Sequence, residues 1–427
     1  MYKLFIITVL VLVITFWSIG FSDSESNLSD EIYTEAEYEA IEDDESENSN
    51  ELSAYPEGSV HQQFDRSVER FIKKWNLKGA SFALTKNGKL VYAKGYGYAD
   101  VEKNIHTEIK HIFRIASISK LITATGIMKL VEEGKLSLDS RVFGENGILN
   151  DSEYRDYKDK RFERITIDHL LRHQAGFSLV HGDPMFYPLD IARKMDAPAP
   201  ADLKTMIRFV LSRRLGYTPG HSTVYSNIGY GILSKVIEKV SDTDYEEYII
   251  KKILRPAGCY NIHIGRNFYK NRYKNEVRYY GAEGEEEQLC CDGSGKMVPK
   301  CYGGNNIEGL SGAGGWVASP IEMLHFLAVI DGENTVPDIL KPETIKIMTS
   351  DNKGRTLPIG WMYANKYNWV RTGTLSGTSG VMKRLSNGYS WIFITNTSAW
   401  KGSKFPKYID RNISQALTRY GMLKTQK

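Results

Sequence analysis

Cysteine is scarce in this chain, and its few copies are poorly placed for two common uses. The four among 427 residues, Cys259, Cys290, Cys291 and Cys301, fall within 43 positions of one another. Adjacent Cys290 and Cys291 lack the two-residue spacer that lets paired thiolates grip one ion, which argues against zinc. No cysteine follows the apolar run at the N-terminus, which argues against a bacterial lipoprotein anchor. In an oxidising compartment the four would form one or two disulfides, with three pairings open. The chain also lacks basic patches interleaved with aromatics, so no nucleic-acid partner is expected. Residues 23–51 carry thirteen Asp or Glu and no Lys or Arg; the remainder, Lys3 aside, has 54 basic and 39 acidic residues. That surplus suits anionic surfaces or substrates, but it is scattered.

With 41 % hydrophobic and 11 % aromatic residues the chain as a whole is a packed globular protein. Residues 1–20 carry one basic residue, Lys3, after Met1-Tyr2 and continue as an uncharged run from Leu4 to Gly20, ending in the small-x-small triplet Ser18-Ile19-Gly20. Such a segment is a signal peptide or a membrane anchor through residues 4–20, and either places the folded part outside the cytoplasm: periplasmic, extracellular or membrane-anchored. Residues 21–57 have few large apolar side chains and read as an acidic disordered linker. The folded domain is expected over 58–427.

The domain opens with a helical stretch, Val68 to Trp75, and two β-rich runs, Ala80–Thr85 and Leu90–Tyr96, joined by Lys86-Asn87-Gly88. Asn-Gly tolerates the positive φ of a hairpin turn. From Ser117 the pattern turns helical and apolar nearly all round, with Gly134 as a stop. Helical patterns predominate from about 140 to 345, among them one that begins at Ser226 after the Pro219-Gly220 turn; residues 265–315 form a Gly-rich, irregular excursion. The β signals return in Leu357–Tyr363, Tyr367–Thr372, Gly380–Leu385 and Tyr389–Thr395, with a closing helix from Asp410 to Tyr420. Strands at both ends imply one sheet built from both termini with a helical region inserted, an α/β (α+β) fold.

Three short motifs carry chemistry. In Ser117-Ile118-Ser119-Lys120, residues three apart on a helix share a face, so an ammonium reaches a hydroxyl. A lowered Lys120 pKa would let it take the serine proton. Tyr225-Ser226-Asn227 starts a second helix and can bring a phenol and an amide beside Ser117. Arg371-Thr372-Gly373-Thr374 ends a strand, where Gly lets a substrate backbone lie close and the N–H groups of Thr374 and Ser117 would form an oxyanion hole. Arg371 would hold a substrate carboxylate or tune Tyr225. His169 and His173 have the i, i+4 spacing of a metal pair, but no Glu adjoins His169 as a metalloprotease motif needs.

These motifs, in this order, resemble those of the serine β-lactamase and penicillin-binding-protein superfamily, in its class C-like branch of β-lactamases, D-alanyl-D-alanine peptidases and esterases. The resemblance extends over roughly residues 60–420. It includes Ile165 to Phe177, the Pro-Gly lead-in to Tyr225, and Gly312-Ala313-Gly314-Gly315-Trp316. It implies an antiparallel sheet of five or more strands flanked by helices, with an all-helical subdomain inserted. Ser117, Lys120 and Tyr225 would be catalytic; Asn227, Arg371, Thr372, Gly373, Thr374 and Asn396 would bind substrate, with Asn396 facing its carboxylate. No metal or cofactor is required. The implied partner is a small-molecule or peptide substrate, with D-amino-acid peptides or amides ahead of esters and β-lactams, and a non-catalytic acyl-ligand sensor as the alternative. Arg371 stands where the family usually has Lys or His, and Thr374 and Leu375 replace small residues, so the groove is expected to be narrower.

Overall fold

The computed structural model describes residues 58–350 and 355–423. The expected export segment and acidic linker lie outside the described residues. Among the described residues no helix is long and apolar enough to cross a membrane.

Helix α1 (Val60–Lys74) is capped by the Ser59 side chain, which accepts from the Gln62 N–H, and buries Phe64, Val68 and Phe71 along one stripe. It leads into β1 (Gly79–Lys86), β2 (Lys89–Asp100) and the short β3 (Ile105–His106). The Asn87-Gly88 turn has φ of +51° and +70°, the left-handed pair that a two-residue hairpin needs. The chain returns to this sheet only at β9 (Tyr363–Ala364), β10 (Asn368–Leu375), β11 (Thr378–Leu385) and β12 (Tyr389–Thr395). The strand order is β3-β2-β1-β12-β11-β10-β9, antiparallel throughout. β1 pairs with β12 from Ala80↔Thr395 to Lys86↔Tyr389, so the two chain ends meet at the sheet centre. Within the expected strand Leu357–Tyr363, only Tyr363 joins the sheet. The Gly360 φ of +79° breaks the extended run, and Ile359 donates instead to the Met348 carbonyl.

Alternation with period two divides the sheet's side chains between two cores. Phe82, Leu84, Trp391 and Phe393 face a layer made by α1 and the closing helix Phe405–Arg419. Ala83, Met382, Ile392 and Ile394 face the larger core. That core holds α2 (Ser119–Glu132), in which every residue from Ser119 to Met128 is buried, as its all-round apolarity predicts. It also holds α3 (Pro188–Lys194), α4 (Leu203–Leu211), α5 (Asn227–Ser241) and α6 (Pro320–Ala328). A three-stranded sheet, β4 (Phe113–Arg114), β8 (Trp316–Ala318) and β5 (His263–Ile264), ties the segment before α2 to the Gly-rich stretch.

The expected disulfides do not form: all four cysteines are free and buried. Each is drawn to a different neighbour. The Cys259 Sγ lies 3.2 Å from the Glu322 carbonyl, and the Cys301 Sγ lies 3.7 Å from that of Tyr279. Beside a small hairpin of β6 (Gln288–Leu289) and β7 (Met297–Val298), the Cys290 N–H donates to the Lys296 carbonyl and the Cys291 N–H to that of Gly303.

Candidate active site

Ser117 sits in a single 3₁₀ turn, Ala116–Ile118, that joins β4 to α2. Ala116 has φ +46°, the left-handed region that residues with a Cβ seldom occupy. The turn is held because Ile115 donates to the Trp316 carbonyl and Ile118 to that of Ile115. Ala116 and Ile118 are buried while Ser117 remains partly open. From the other side β10 presses on this turn at Gly373. A Cβ there would lie 2.3 Å from the Ile115 oxygen and 3.1 Å from the Ser117 nitrogen, so the close approach requires glycine.

Lys120, one helical turn on, is fully buried. Its Nζ donates to Ser117 Oγ at 3.2 Å, Asn227 Oδ1 at 2.7 Å and the Ala313 carbonyl at 2.7 Å. Burial pushes its pKa down; the Tyr225 phenol works against this and the Arg371 charge adds to it. Tyr225 donates to Ser117 Oγ at 2.9 Å. Arg371 spans the same two residues, Nε donating to the Ser117 carbonyl at 2.8 Å and Nη2 to the Tyr225 phenol at 3.1 Å. Burial alone would raise the Tyr225 pKa, but the charges of Lys120 and Arg371 and the hydrogen bonds outweigh it, and the phenol is more acidic than usual. Arg371 is itself buried and committed to these contacts, which favours the tuning role over capture of a substrate carboxylate.

Asn227 is the first residue of α5, behind the N-cap Ser226, whose Oγ accepts from Gly229. Its neighbour Asp183 was missed by sequence reasoning. That carboxylate accepts from the Asn227 N–H at 2.5 Å and from the Met185 N–H at 3.1 Å. Burial raises its pKa, against the pull of those N–H groups and of Lys120. The Asp183-Pro184 dipeptide is a turn signal that could have drawn attention to it. Ala313 lies in the short helix Ser311–Gly314, which packs so tightly on α5 that a Cβ on Gly312 would meet the Tyr230 carbonyl at 2.5 Å.

The histidine pair is scaffold. His169 closes a capping box with Thr166, and His173 Nδ1 accepts from Ser226 while its ring packs 4.4 Å from that of Tyr225. Burial, then Lys120 and Arg371, hold the His173 pKa well below the ordinary value, so its ring is neutral at neutral pH.

Among the described residues, no strand pairs with the outer edge of β10 beyond β9. Met362 donates to the Val370 carbonyl on that edge, and residues two apart in a strand point the same way, so the N–H groups of Thr372 and Thr374 face the open side. Thr374, partly exposed, therefore presents its N–H next to the turn bearing Ser117; its Oγ1 lies 3.0 Å from that of Ser379. Asn396 is not brought to this cluster. It is fully buried, its Nδ2 donating to the Tyr98 carbonyl at 3.0 Å and its Oδ1 accepting from Thr397, where it fastens β12 to β2. The assembled groups form a hydroxyl held by a phenol and an ammonium, beside an open strand edge with free N–H donors.

The family profile described as Beta-lactamase matches residues 64–413. Protein flp of Staphylococcus aureus (strain N315) is 30 % identical over 228 residues, which are 52 % of this chain and 42 % of that protein. The chain thus spans about two fifths of the length of that curated relative. The solved octameric penicillin-binding protein homologue from Pyrococcus abyssi superposes with a TM-score of 0.62 and 26 % identity, covering 84 % of this chain and 77 % of its own. The D-amino acid amidase from Ochrobactrum anthropi SV3, solved with L-phenylalanine amide, superposes with a TM-score of 0.66 at 20 % identity, covering 86 % and 99 %.

Proposed function

The chain belongs to the Beta-lactamase family, and we propose that within it the protein is a serine hydrolase that cleaves amide or ester bonds through an acyl-enzyme on Ser117. One observation carries this reading: Ser117 Oγ lies within hydrogen-bond reach of both Tyr225 at 2.9 Å and Lys120 at 3.2 Å, while Arg371 bridges the phenol and the Ser117 backbone. Two cations around one phenol favour its phenolate, which then takes the Ser117 proton as Oγ attacks the substrate carbonyl carbon. The oxyanion is received by the N–H groups of Ser117 and Thr374. Collapse breaks the scissile C–N or C–O bond, and the proton on Tyr225 passes to the departing amine or alcohol. Water, deprotonated by Tyr225, then attacks the ester carbonyl and releases the acid and free Ser117.

For substrate we favour D-amino-acid-containing peptides and related amides, ahead of carboxylic esters and β-lactams. The amide chemistry named for the like-folded D-amino acid amidase is in keeping with this order. The uncharged run Leu4–Gly20 supports action outside the cytoplasm, where cell-wall peptides lie. The test is intact-mass spectrometry after exposure to an activated acyl ester and to a penicillin. A mass gain on Ser117 that decays is expected, with none in Ser117→Ala. A persistent adduct would favour a sensor of acyl ligands, and labelling that survives Ser117→Ala would sink the assignment.

A further inference from the structure

Behind the loop that carries Asp183 lies a cavity of about 250 Å³ that the proposed chemistry does not use. Its walls are mostly apolar, with Phe162, Phe177, Ile191, Val210 and Leu215 buried around it. Helix α3 supplies Asp190, Ile191 and Lys194, helix α4 supplies Phe209 and Val210, and Arg213 and Arg214 follow just past the end of α4. At the mouth, Val180, between the lining residues Leu179 and His181, is 83 % exposed, and the lining residue Tyr187 is 46 % exposed.

The rim is cationic. Lys194, Arg213 and Arg214 all line the cavity, and none of them forms an ion pair among the described residues. Two of them converge on one ring: the Lys194 Nζ lies 6.0 Å and the Arg213 guanidinium 5.2 Å from the centre of Phe209, itself a lining residue. The carboxylate of Asp190, also at the rim, is drawn 3.8 Å from Arg193, outside the cavity. An apolar chamber whose cations lack carboxylates complements a molecule with an apolar body and one negative end. The chamber is distinct from the catalytic cluster. Gly182 and Pro184 line it, while the intervening Asp183 turns its carboxylate to the Asn227 N–H.

We infer that this cavity binds an amphipathic monoanion of the fatty-acid type, its carboxylate on Arg213 and Arg214 and its chain among Phe177, Ile191 and Val210. A volume of about 250 Å³ suits a medium-length chain. Sodium decanoate is the probe, and decylamine, with the same chain and the opposite charge, is its control. In equilibrium dialysis with the full-length chain, decanoate binds about tenfold or more tightly than decylamine at this site. The surface double variant Arg213→Glu with Arg214→Glu removes that preference, and Leu179→Trp, which narrows the mouth, weakens both ligands. Protein labelled on Ser117 with a fluorophosphonate binds decanoate as well as unlabelled protein does. Equal binding of the two probes, or a preference that survives the charge reversal, overturns the inference. Loss of binding on labelling would place the ligand in the catalytic cleft and overturn it as well. Should Ser117 take no label, the hydrolase reading falls, while the charge and mouth variants still decide this one.

Discussion

Replacing Arg371 by Met tests whether the guanidinium tunes the phenol or only braces the turn. Its Nη2 lies 3.1 Å from the Tyr225 oxygen, and the side chain is buried. A unit charge pair at such a range is worth about 4 kcal/mol at an effective dielectric of about 20. Tyr225 is partly exposed, so solvent takes up about half of this or more, leaving about 1.4–2 kcal/mol that favours the phenolate. Removing a cation disfavours the phenolate, so the sign is upward: the acidic limb of the acylation rate moves to higher pH. At neutral pH the rate falls about ten- to thirtyfold, and it recovers as the pH is raised. Lys120 remains in place, so the limb shifts without disappearing. The assay is the pre-steady-state release of p-nitrophenol from an activated ester across about pH 5 to 10. The Ser117 carbonyl also loses a donor, at a cost of about 1–3 kcal/mol in stability, so rates are taken well below the melting temperature. A uniform drop at every pH with an unmoved limb would refute the tuning role and leave Arg371 as a brace.

Three further perturbations separate positioning from chemistry. Gly373→Ala puts a methyl 2.3 Å from the Ile115 oxygen; it is expected to cost about 1–3 kcal/mol in thermal unfolding and to slow acylation more than any surface Gly→Ala change does. Asp183→Asn can replace only one of two accepting oxygens, so both melting temperature and acylation should fall. Burial raises the Asp183 pKa, so the stability tied to this group falls as pH climbs from the ordinary Asp range through the raised value. Denaturant titrations across pH should show that slope in the wild type and lose it in the variant. Burial pushes the thiols of Cys259 and Cys291 to about 12 and that of Cys301 to about 11, and raises that of Cys290. A disulfide-exchange reagent should therefore find no reactive thiol in the native chain and four after denaturation, and a reducing agent should leave the melting temperature unchanged.

The sheet was legible because its strands alternate and its hairpins carry Asn-Gly, both short-range signals. The segment Leu357–Tyr363 misled for the same reason: its apolar residues pack into the core without pairing, and Gly360 turns the chain away. Ser117, Lys120, Tyr225 and Asn227 stand at or beside the start of a helix, and such positions leave a mark in sequence; Arg371 lies inside β10, which runs on to Leu375, past the strand end expected at Thr372, because Gly373 stays paired with Gly380. Asp183 caps only the three-residue 3₁₀ turn Pro184–Phe186, too short for a period to betray it, and Ala313 contributes only a carbonyl that any residue could supply. Asn396 shows the limit of reading a role from order along the chain: one residue past the end of β12, its amide reaches across β1 to the Tyr98 carbonyl of β2 rather than into the cleft.

The pairing of β1 with β12 also sets a timetable. Lys86 and Tyr389 are 303 positions apart, so at about 5–20 residues per second a ribosome would need about 15 to 60 seconds after the first strand before it could deliver the partner. Throughout that interval β1, already paired with β2, has its other edge unfilled and its apolar side chains without the closing helix. The nascent hairpin is thus a standing invitation to strand exchange with other copies, and truncation before Tyr389 would make that state permanent. Yield of this protein should therefore depend on holdase chaperones and on elongation rate more than on any single core contact.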